Sequence, residues 1–334
     1  MPRITIVVLV LLCTMPAGHV AAQAAGAFAR IGFGARGVAM GNALAGDDSG
    51  LSSPYYNPAL APFITRQSLD VSAAFMTLGR ELQFLQLATP LRPRAGIAAG
   101  VIHAGVRDID GRDGSGYHTG KLSTDEYGFF LAFGVRVIRS LTVGIGLQLF
   151  HANLHDTVTP VTSIGIDVGM RMRVTDALSV GIVADDLLAR YSWGSSASSG
   201  RSSSDRFPTR LRLGATYRLL SSRLLLAAEY ETRFSSVEVR QRNVELIGDS
   251  PREVDTNTRL VWHESRVRLG AEYWPLEVFA VRGGATRLAG GTAPSAGFMF
   301  EQAVGALRIR AEYAVVLEPH ALGTMHLVTL RFFL

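Results

Sequence analysis

The chain has 334 residues, 48% of them hydrophobic and 18% charged, with 35 Gly, one Cys and a formal net charge of +5. After the first twenty residues no stretch approaches the roughly 18 consecutive apolar residues that a membrane-spanning helix needs, so the apolarity is dispersed. The arginines alternate with apolar residues and form neither a tract nor a basic helical face, which argues against nucleic acid as a partner.

Residues 1–22 carry one early charge (Arg3), an apolar core ITIVVLVLLC and a small-residue exit Val20-Ala21-Ala22. That is the layout of a cleavable secretory signal, with cleavage expected after Ala22. Cys13 lies in the apolar core, so the mature chain has no thiol for a disulfide, a metal site or a nucleophile. Residues 23–67 show no period-2 pattern, are rich in Gly and Ala, and contain an Asn57-Pro58 turn signal. Gly32, Gly34 and Gly37 spell G-x-G-x-x-G, but no strand precedes them and no ribose-binding acid follows at the required distance. A dinucleotide site is therefore not expected. Asp47-Asp48-Ser49 reads as a helix-capping cluster, with ion binding as the alternative.

From residue 68 to the C-terminus, apolar residues alternate with polar or small ones in segments of ten or more, the period that strands impose. In one segment Leu211, Leu213, Ala215 and Tyr217 oppose Arg210, Arg212, Gly214 and Thr216. In a second, Ile164, Ile166, Val168 and Met170 oppose Asp167, Arg171 and Arg173. Two more set Val267, Leu269 and Ala271 against Arg266, Arg268 and Glu272, and Leu307, Ile309 and Ala311 against Arg308, Arg310 and Glu312. The predicted strands are 68–78, 80–91, 94–107, 124–138, 141–154, 162–174, 178–190, 208–220, 223–234, 260–274, 276–288, 295–304, 306–317 and 323–334. Crossing a bilayer takes roughly 9 to 11 tilted residues, whereas the usual soluble strand has about 5 or 6, so these lengths point to a membrane barrel.

Connections also sort by parity. Those after every second strand are brief: Arg92-Pro93, Arg139-Ser140, Thr175-Asp176-Ala177, Ser221-Ser222, Pro275 and Gly305. The alternate set includes the long, polar RDIDGRDGSGYHTGKL, YSWGSSASSGRSSSDR and the stretch 235–259, as expected when one rim has short periplasmic turns and the other external loops. These read as solvated loops, with a ligand-capturing lid as the alternative. Tyr191 and Trp193 are placed where an interfacial aromatic girdle would lie.

The charged face is expected to line a hydrated lumen: Arg171, Arg173, Arg210, Arg212, Arg266, Arg268, Glu272, Arg308, Arg310 and Glu312, with Glu229 as a further partner for neighbouring arginines. An Arg facing lipid costs roughly 2 to 4 kcal/mol at the midplane, so Leu269→Arg is expected to harm assembly far more than Arg268→Leu. A barrel of this width must hold a plug or water, and a small-residue segment packs closely, so residues 23–67 are expected inside it as a hatch. Phe28, Phe33, Met40, Leu44, Leu51 and Phe63 are candidates to line a ligand path, with Asn57 and Pro58 at the turn of the hatch. For each apolar residue, simple packing against the wall is an equal alternative.

The segment GARGVAMGNALAGDDSGLSSPYYNPAL, through Gly34, Gly37, Met40, Gly41, Ala45, Asp47, Asp48, Asn57, Pro58 and Ala59, resembles the N-terminal region of PorV/PorQ-type proteins within the wider FadL-like outer-membrane proteins. The C-terminal AEYAVVLEPHALGTMHLVTLRFFL is similar to the last hairpin of that family, ending in Leu334 where many outer-membrane barrels carry Phe. The resemblance implies an all-β fold: a transmembrane antiparallel β-barrel of about fourteen strands with an N-terminal lumenal hatch and an apolar ligand path. It also implies the outer membrane as location and lipid and the barrel assembly machinery as partners.

No catalytic set is visible, so an enzyme is not expected. His151 and His155 share a strand face but lie roughly 13 Å apart at about 3.3 Å per residue, too far to chelate one metal, and no cofactor is implied. The expected function is passive transport of hydrophobic small molecules of the fatty-acid or hydrocarbon class. The alternative is a PorV-like surface barrel that handles cargo or partners of type IX secretion.

Overall fold

The computed structural model describes residues 25–154, 159–194, 202–247, 250–288, 290–305, 307–319 and 323–334. The expected signal, with Cys13, and His155 lie outside the described residues. Two 3-10 turns, Ala27–Arg30 and Pro58–Phe63, flank the short helix α1 (Gly34–Ala39). The strands follow: β1 Ser68–Phe75, β2 Arg80–Leu91, β3 Ala95–Arg112, β4 His118–Ile138, β5 Leu141–Asn153, β6 Val161–Arg173, β7 Leu178–Leu187, β8 Arg190–Gly194, β9 Ser202–Arg206, β10 Thr209–Leu219, β11 Leu224–Ile247, β12 Ser250–Leu276, β13 Phe279–Leu288, β14 Gly291–Val304, β15 Leu307–Glu318 and β16 Gly323–Phe333.

Fourteen of these close into an antiparallel barrel in the order β1-β16-β15-β14-β13-β12-β11-β10-β7-β6-β5-β4-β3-β2, while β8 and β9 form a separate two-stranded sheet. The first and last strands close the ring, with Ser68 opposite Phe333 and Phe75 opposite His326. Each of the fourteen predicted strands is present.

Alternation decides the two faces. In β6, Ser163, Asp167 and Arg171 are buried while Ile164, Val168 and Met170 are exposed; in β10, Arg210 and Arg212 are buried while Leu211 and Leu213 are exposed. The outward residues, among them Leu85, Phe129, Leu147, Leu269, Phe298 and Leu330, make an apolar belt around the barrel. This inverts the arrangement of a soluble protein and matches a wall that faces lipid.

The barrel has one level rim, carrying the short turns and both ends of the wall, where Leu334 N–H donates to the Gln67 carbonyl at 2.9 Å. The opposite rim is uneven. Much of the polar sequence expected there as loop is extended hairpin instead. β11 and β12 pair continuously from Leu224 opposite Tyr273 to Ile247 opposite Ser250. The pairing has no register shift over this whole length. β3 and β4 likewise continue to Arg112 and His118, with register shifts after Val106 and Gly111. Their turn is held by the Asp113 carboxylate, which accepts from the Ser115 and Tyr117 N–H groups.

Tyr191 corrects the girdle expectation: it is buried, with its ring 4.8 Å from that of Phe207. The chain after β7 turns inward through Asp186 and Leu188, both with φ near +60 to +70° (58° and 69°), and Arg190 N–H donates to the inward Ser163 hydroxyl at 2.8 Å. The side chain of Trp193 lies outside the described residues.

Leu269→Arg tests the facing directly, because Leu269 is 46% exposed in the apolar belt. The change should cost roughly 2 to 4 kcal/mol near the midplane. The expected result is a large loss of the heat-modifiable folded band on an unheated gel, with Leu269→Ile unaffected; full assembly of the Arg variant would show that this face does not meet lipid.

Candidate functional site: the charged and filled lumen

The interior is organised around residues 25–67, whose backbone runs against the inner wall. The fit depends on small wall residues: a Cβ at Gly181 would sit 1.9 Å from the Ala45 carbonyl oxygen. Gly41, with φ +60°, lies so close to the wall that a Cβ there would come within 3 Å of the Leu269 and Ala285 carbonyl oxygens. A side chain at either position would push the segment off the wall.

On one side of the lumen the contacts are ionic. From α1, Arg36 donates to Glu272 on β12 through two bonds, 2.8 and 2.9 Å, and to Asp47 and Ser52, each at 2.6 Å. Glu272 also accepts from Arg282 at 2.7 Å, and Arg282 reaches Glu312 at 3.1 Å. The chain Asp47–Arg36–Glu272–Arg282–Glu312 thus ties the N-terminal segment to β12, β13 and β15. A second group centres on β10 and β11. Arg268 donates to Glu229 at 2.6 Å and Glu231 at 2.7 Å; Glu229 also accepts from the Ala45 N–H at 3.0 Å. Arg212 is held by Asp185 at 2.6 and 2.9 Å and donates to the Tyr56 carbonyl; Arg210 is held by Asp186 at 2.9 Å. Arg331 pairs with Asp70 through two 2.7 Å bonds and donates to the Leu51 carbonyl at 2.9 Å.

All ten charged residues expected in the lumen lie on the inward parity of their strands, but they differ in depth. Arg171, Arg210, Arg212, Arg268, Glu272, Arg310 and Glu312 are buried; Arg266 is half-buried beside Glu264 at 3.0 Å. Arg173 and Arg308 reach the level rim and are largely exposed, near Asp48 and Glu301. Arg268→Leu would take a buried partner from Glu229 and Glu231, at a cost of about 3 to 5 kcal/mol.

Asp47 and Asp48 do not cap a helix, because the residues at the helix starts are Gly26, Phe33 and Asn57. Asp47 serves Arg36, with its other oxygen accepting from the Ser49 N–H, and Asp48 pairs with Arg171 and Arg218. The cause is burial, since an acid this deep needs a cation more than a helix end does. Asn57 does cap the turn Pro58–Phe63, accepting from Ala59 N–H at 2.9 Å while donating to the Ala45 carbonyl at 2.7 Å.

The other side of the lumen is aromatic. Phe33 packs on Tyr55, Phe84 and Phe130 with centroids 5.0 to 5.4 Å apart, and Phe28 meets Phe150 edge-on at 6.3 Å. Pro58 packs against the wall at Gly144, Met40 is fully buried, and Phe63 lies beneath the Arg171 guanidinium at 4.8 Å.

At the uneven rim a cavity of about 360 Å³ lies between the segment and the wall. Ile31, Val38, Leu288, Val316 and Met325 give it apolar sides, and Arg30, Arg233, Arg266 and Glu264 polar ones. Deeper along β16 the space shrinks to cavities of about 10 and 20 Å³, both bordered by Arg331. Phe33, Leu44 and Leu51 border the smaller. Among the described residues, no group of three or more His, Cys, Asp or Glu is placed to hold a metal ion.

Sequence periodicity missed Arg36, Arg282, Arg331, Asp70, Asp185 and Asp186. Asp185 and Asp186 are adjacent yet both buried, which a regular strand forbids; the β6–β7 register shift between Ile166 and Val168 allows it.

Asp47 makes the clamp acid-sensitive. Burial pushes its carboxyl up, but Arg36 and hydrogen bonds from Ser52 and Ser49 outweigh burial and hold it below the ordinary carboxylate range. Its stabilisation is complete above the unfolded value of about 3.9 and is lost as pH falls from there through the lower folded value. Hydrogen exchange in residues 35–53, corrected for intrinsic rates, should be flat from neutral pH down to about 5 and accelerate below about 4. Constant protection at all acid pH values would contradict this.

No protein-family model and no curated protein matches the sequence. Solved structures do match in fold. The toluene transporter TbuX of Ralstonia pickettii is 16% identical with a TM-score of 0.56, covering 90% of this chain and 97% of that one. The toluene transporter TodX of Pseudomonas putida is 13% identical at the same TM-score, with 90% and 96% covered. A FadL homologue of Pseudomonas aeruginosa is 11% identical, TM-score 0.56, with 89% and 96% covered. The chain therefore shares the barrel fold of these three proteins.

Proposed function

We propose that this barrel sits in the bacterial outer membrane, after removal of residues 1–22, and admits small hydrophobic molecules passively. The substrates would be of the hydrocarbon or fatty-acid class, with residues 25–67 acting as the hatch. The observation that carries the reading is the 360 Å³ rim cavity, part apolar, that ends on the N-terminal segment with only much smaller spaces below it. The fold supports the same reading, since structural neighbours are named as toluene transporters.

The two sides of the lumen suggest how such a hatch moves. Breaking one buried ion pair costs about 3 to 5 kcal/mol, whereas an aromatic contact contributes about 0.5 to 1.5 kcal/mol beyond its area and can be replaced by a ligand. Opening is therefore expected on the Phe33–Tyr55–Phe84–Phe130 side, with the Arg36 and Arg268 networks as the fixed hinge. In this reading β16 is the segment presented to the assembly machinery and membrane lipid surrounds the belt. The type IX secretion alternative draws on the resemblance of residues 34–59 alone.

Uptake of labelled toluene and of a labelled long-chain fatty acid into proteoliposomes tests the proposal. Wild type should accelerate at least one of them, and Val38→Trp, which fills the rim cavity, should slow that uptake severalfold without loss of folded barrel. No acceleration across both ligands would reject transport.

A further inference from the structure

The arginines of the level rim differ from those of the lumen and of the uneven rim. Arg66 precedes β1, Arg92 and Arg94 lie in the turn between β2 and β3, Arg139 in that between β4 and β5, and Arg223 in that between β10 and β11; all are exposed. None of them makes an ion pair with another described residue. At the uneven rim the Lys and Arg side chains of the β3–β4 hairpin are neutralised instead. Lys121 pairs with Asp108 at 2.7 Å, Arg112 with Asp110 at 2.7 Å and Arg107 with Asp125 at 2.8 Å.

The exposed acids in the turns of the level rim are Asp176, after β6, and Glu277, after β12. The arc from Arg66 to Arg139 therefore carries arginines with no exposed acid among the described residues of its turns. Turn geometry does not call for them, since short turns favour Gly, Pro, Asn, Asp or Ser. Unneutralised cations repeated in three short turns make a surface for an anion, and their neighbours identify what carries it. Leu91, Ile138 and Leu220, beside Arg92, Arg139 and the Arg223 turn, are 40%, 58% and 63% exposed at the end of the apolar belt. An apolar side chain followed within three residues by a guanidinium matches the boundary between acyl chains and headgroups. A protein docking on the rim end-on would leave those three apolar residues uncovered.

We propose that the level rim is a docking surface for anionic phospholipids, of the phosphatidylglycerol class, in the leaflet on the short-turn side of the membrane. Their phosphates gather along the arc from Arg66 to Arg139 and at Arg223, while their acyl chains lie against the belt. The planar fork of arginine suits a phosphate, and each basic residue beside a membrane adds to its attraction for an anionic surface. The inference rests on the chain spanning a membrane, not on its carrying a substrate.

Electron spin resonance of spin-labelled lipids, with the full chain folded in dimyristoylphosphatidylcholine vesicles, tests it. Wild type should immobilise spin-labelled phosphatidylglycerol severalfold more strongly than spin-labelled phosphatidylcholine. Salt at about 1 M, where the screening length is about 3 Å, should remove most of that difference. The variant Arg92→Gln/Arg94→Gln/Arg139→Gln/Arg223→Gln should also lose most of the preference, whereas Arg112→Gln/Lys121→Gln at the opposite rim should keep most of it. The four substituted rim arginines are exposed and without ion pairs among the described residues, so the heat-modifiable band should confirm that this variant folds. Equal immobilisation of the two lipids by wild type would overturn the proposal and leave the arc to an acidic protein. An unchanged preference in the four-arginine variant, or an equal loss in the opposite-rim variant, would overturn it as well. Lipid preference without toluene or fatty-acid uptake would remove the transport reading and leave the lipid surface standing.

Discussion

The inward burial of charge is the constraint on which the rest of this structure depends. A strand that shows lipid its apolar residues must send its alternate residues inward, and here those residues are arginines and acids. Such a lumen can be satisfied by water or by protein. Residues 25–67 supply protein, bringing Arg36, Asp47, Asp48 and several backbone groups to the charges that the wall presents. The same pairing that allows the wall to carry ions therefore fixes where the N-terminal segment lies.

That division gives the interior two mechanical characters. The β10–β15 side is held by ion pairs whose separation strands buried charge. The side facing β2 to β5 is held by aromatic contacts that an apolar ligand can imitate. A passive channel for hydrophobic molecules needs both, a fixed part that keeps the pore shut to ions and a yielding part that responds to the molecule being carried. The proposed function follows from that pairing of a rigid and a replaceable surface more than from any single residue.

Much of this was legible in the sequence, because the period-2 alternation assigns the face of Arg210, Arg212, Arg268 and Glu272 without knowledge of the fold. The fourteen strands were legible for the same reason. Partners were not: Arg36 and Glu272 are 236 positions apart, and no local pattern joins them. The extension of β11 and β12 reads as loop in the sequence because its residues are polar and lack an apolar alternation, whereas the backbone pairs without interruption to Ile247 opposite Ser250. Tyr191 was misplaced because its direction is set by the inward turn at Asp186 and Leu188, a backbone event that aromatic composition does not encode.

The central claim, that the N-terminal segment closes a barrel which would otherwise conduct, is most directly tested by ion conductance in planar bilayers. The wild-type chain should insert with little or no steady current, whereas a chain lacking residues 25–67 that still gives a folded barrel should open stable channels. Comparable conductance from the two, whether both open or both closed, would contradict the account.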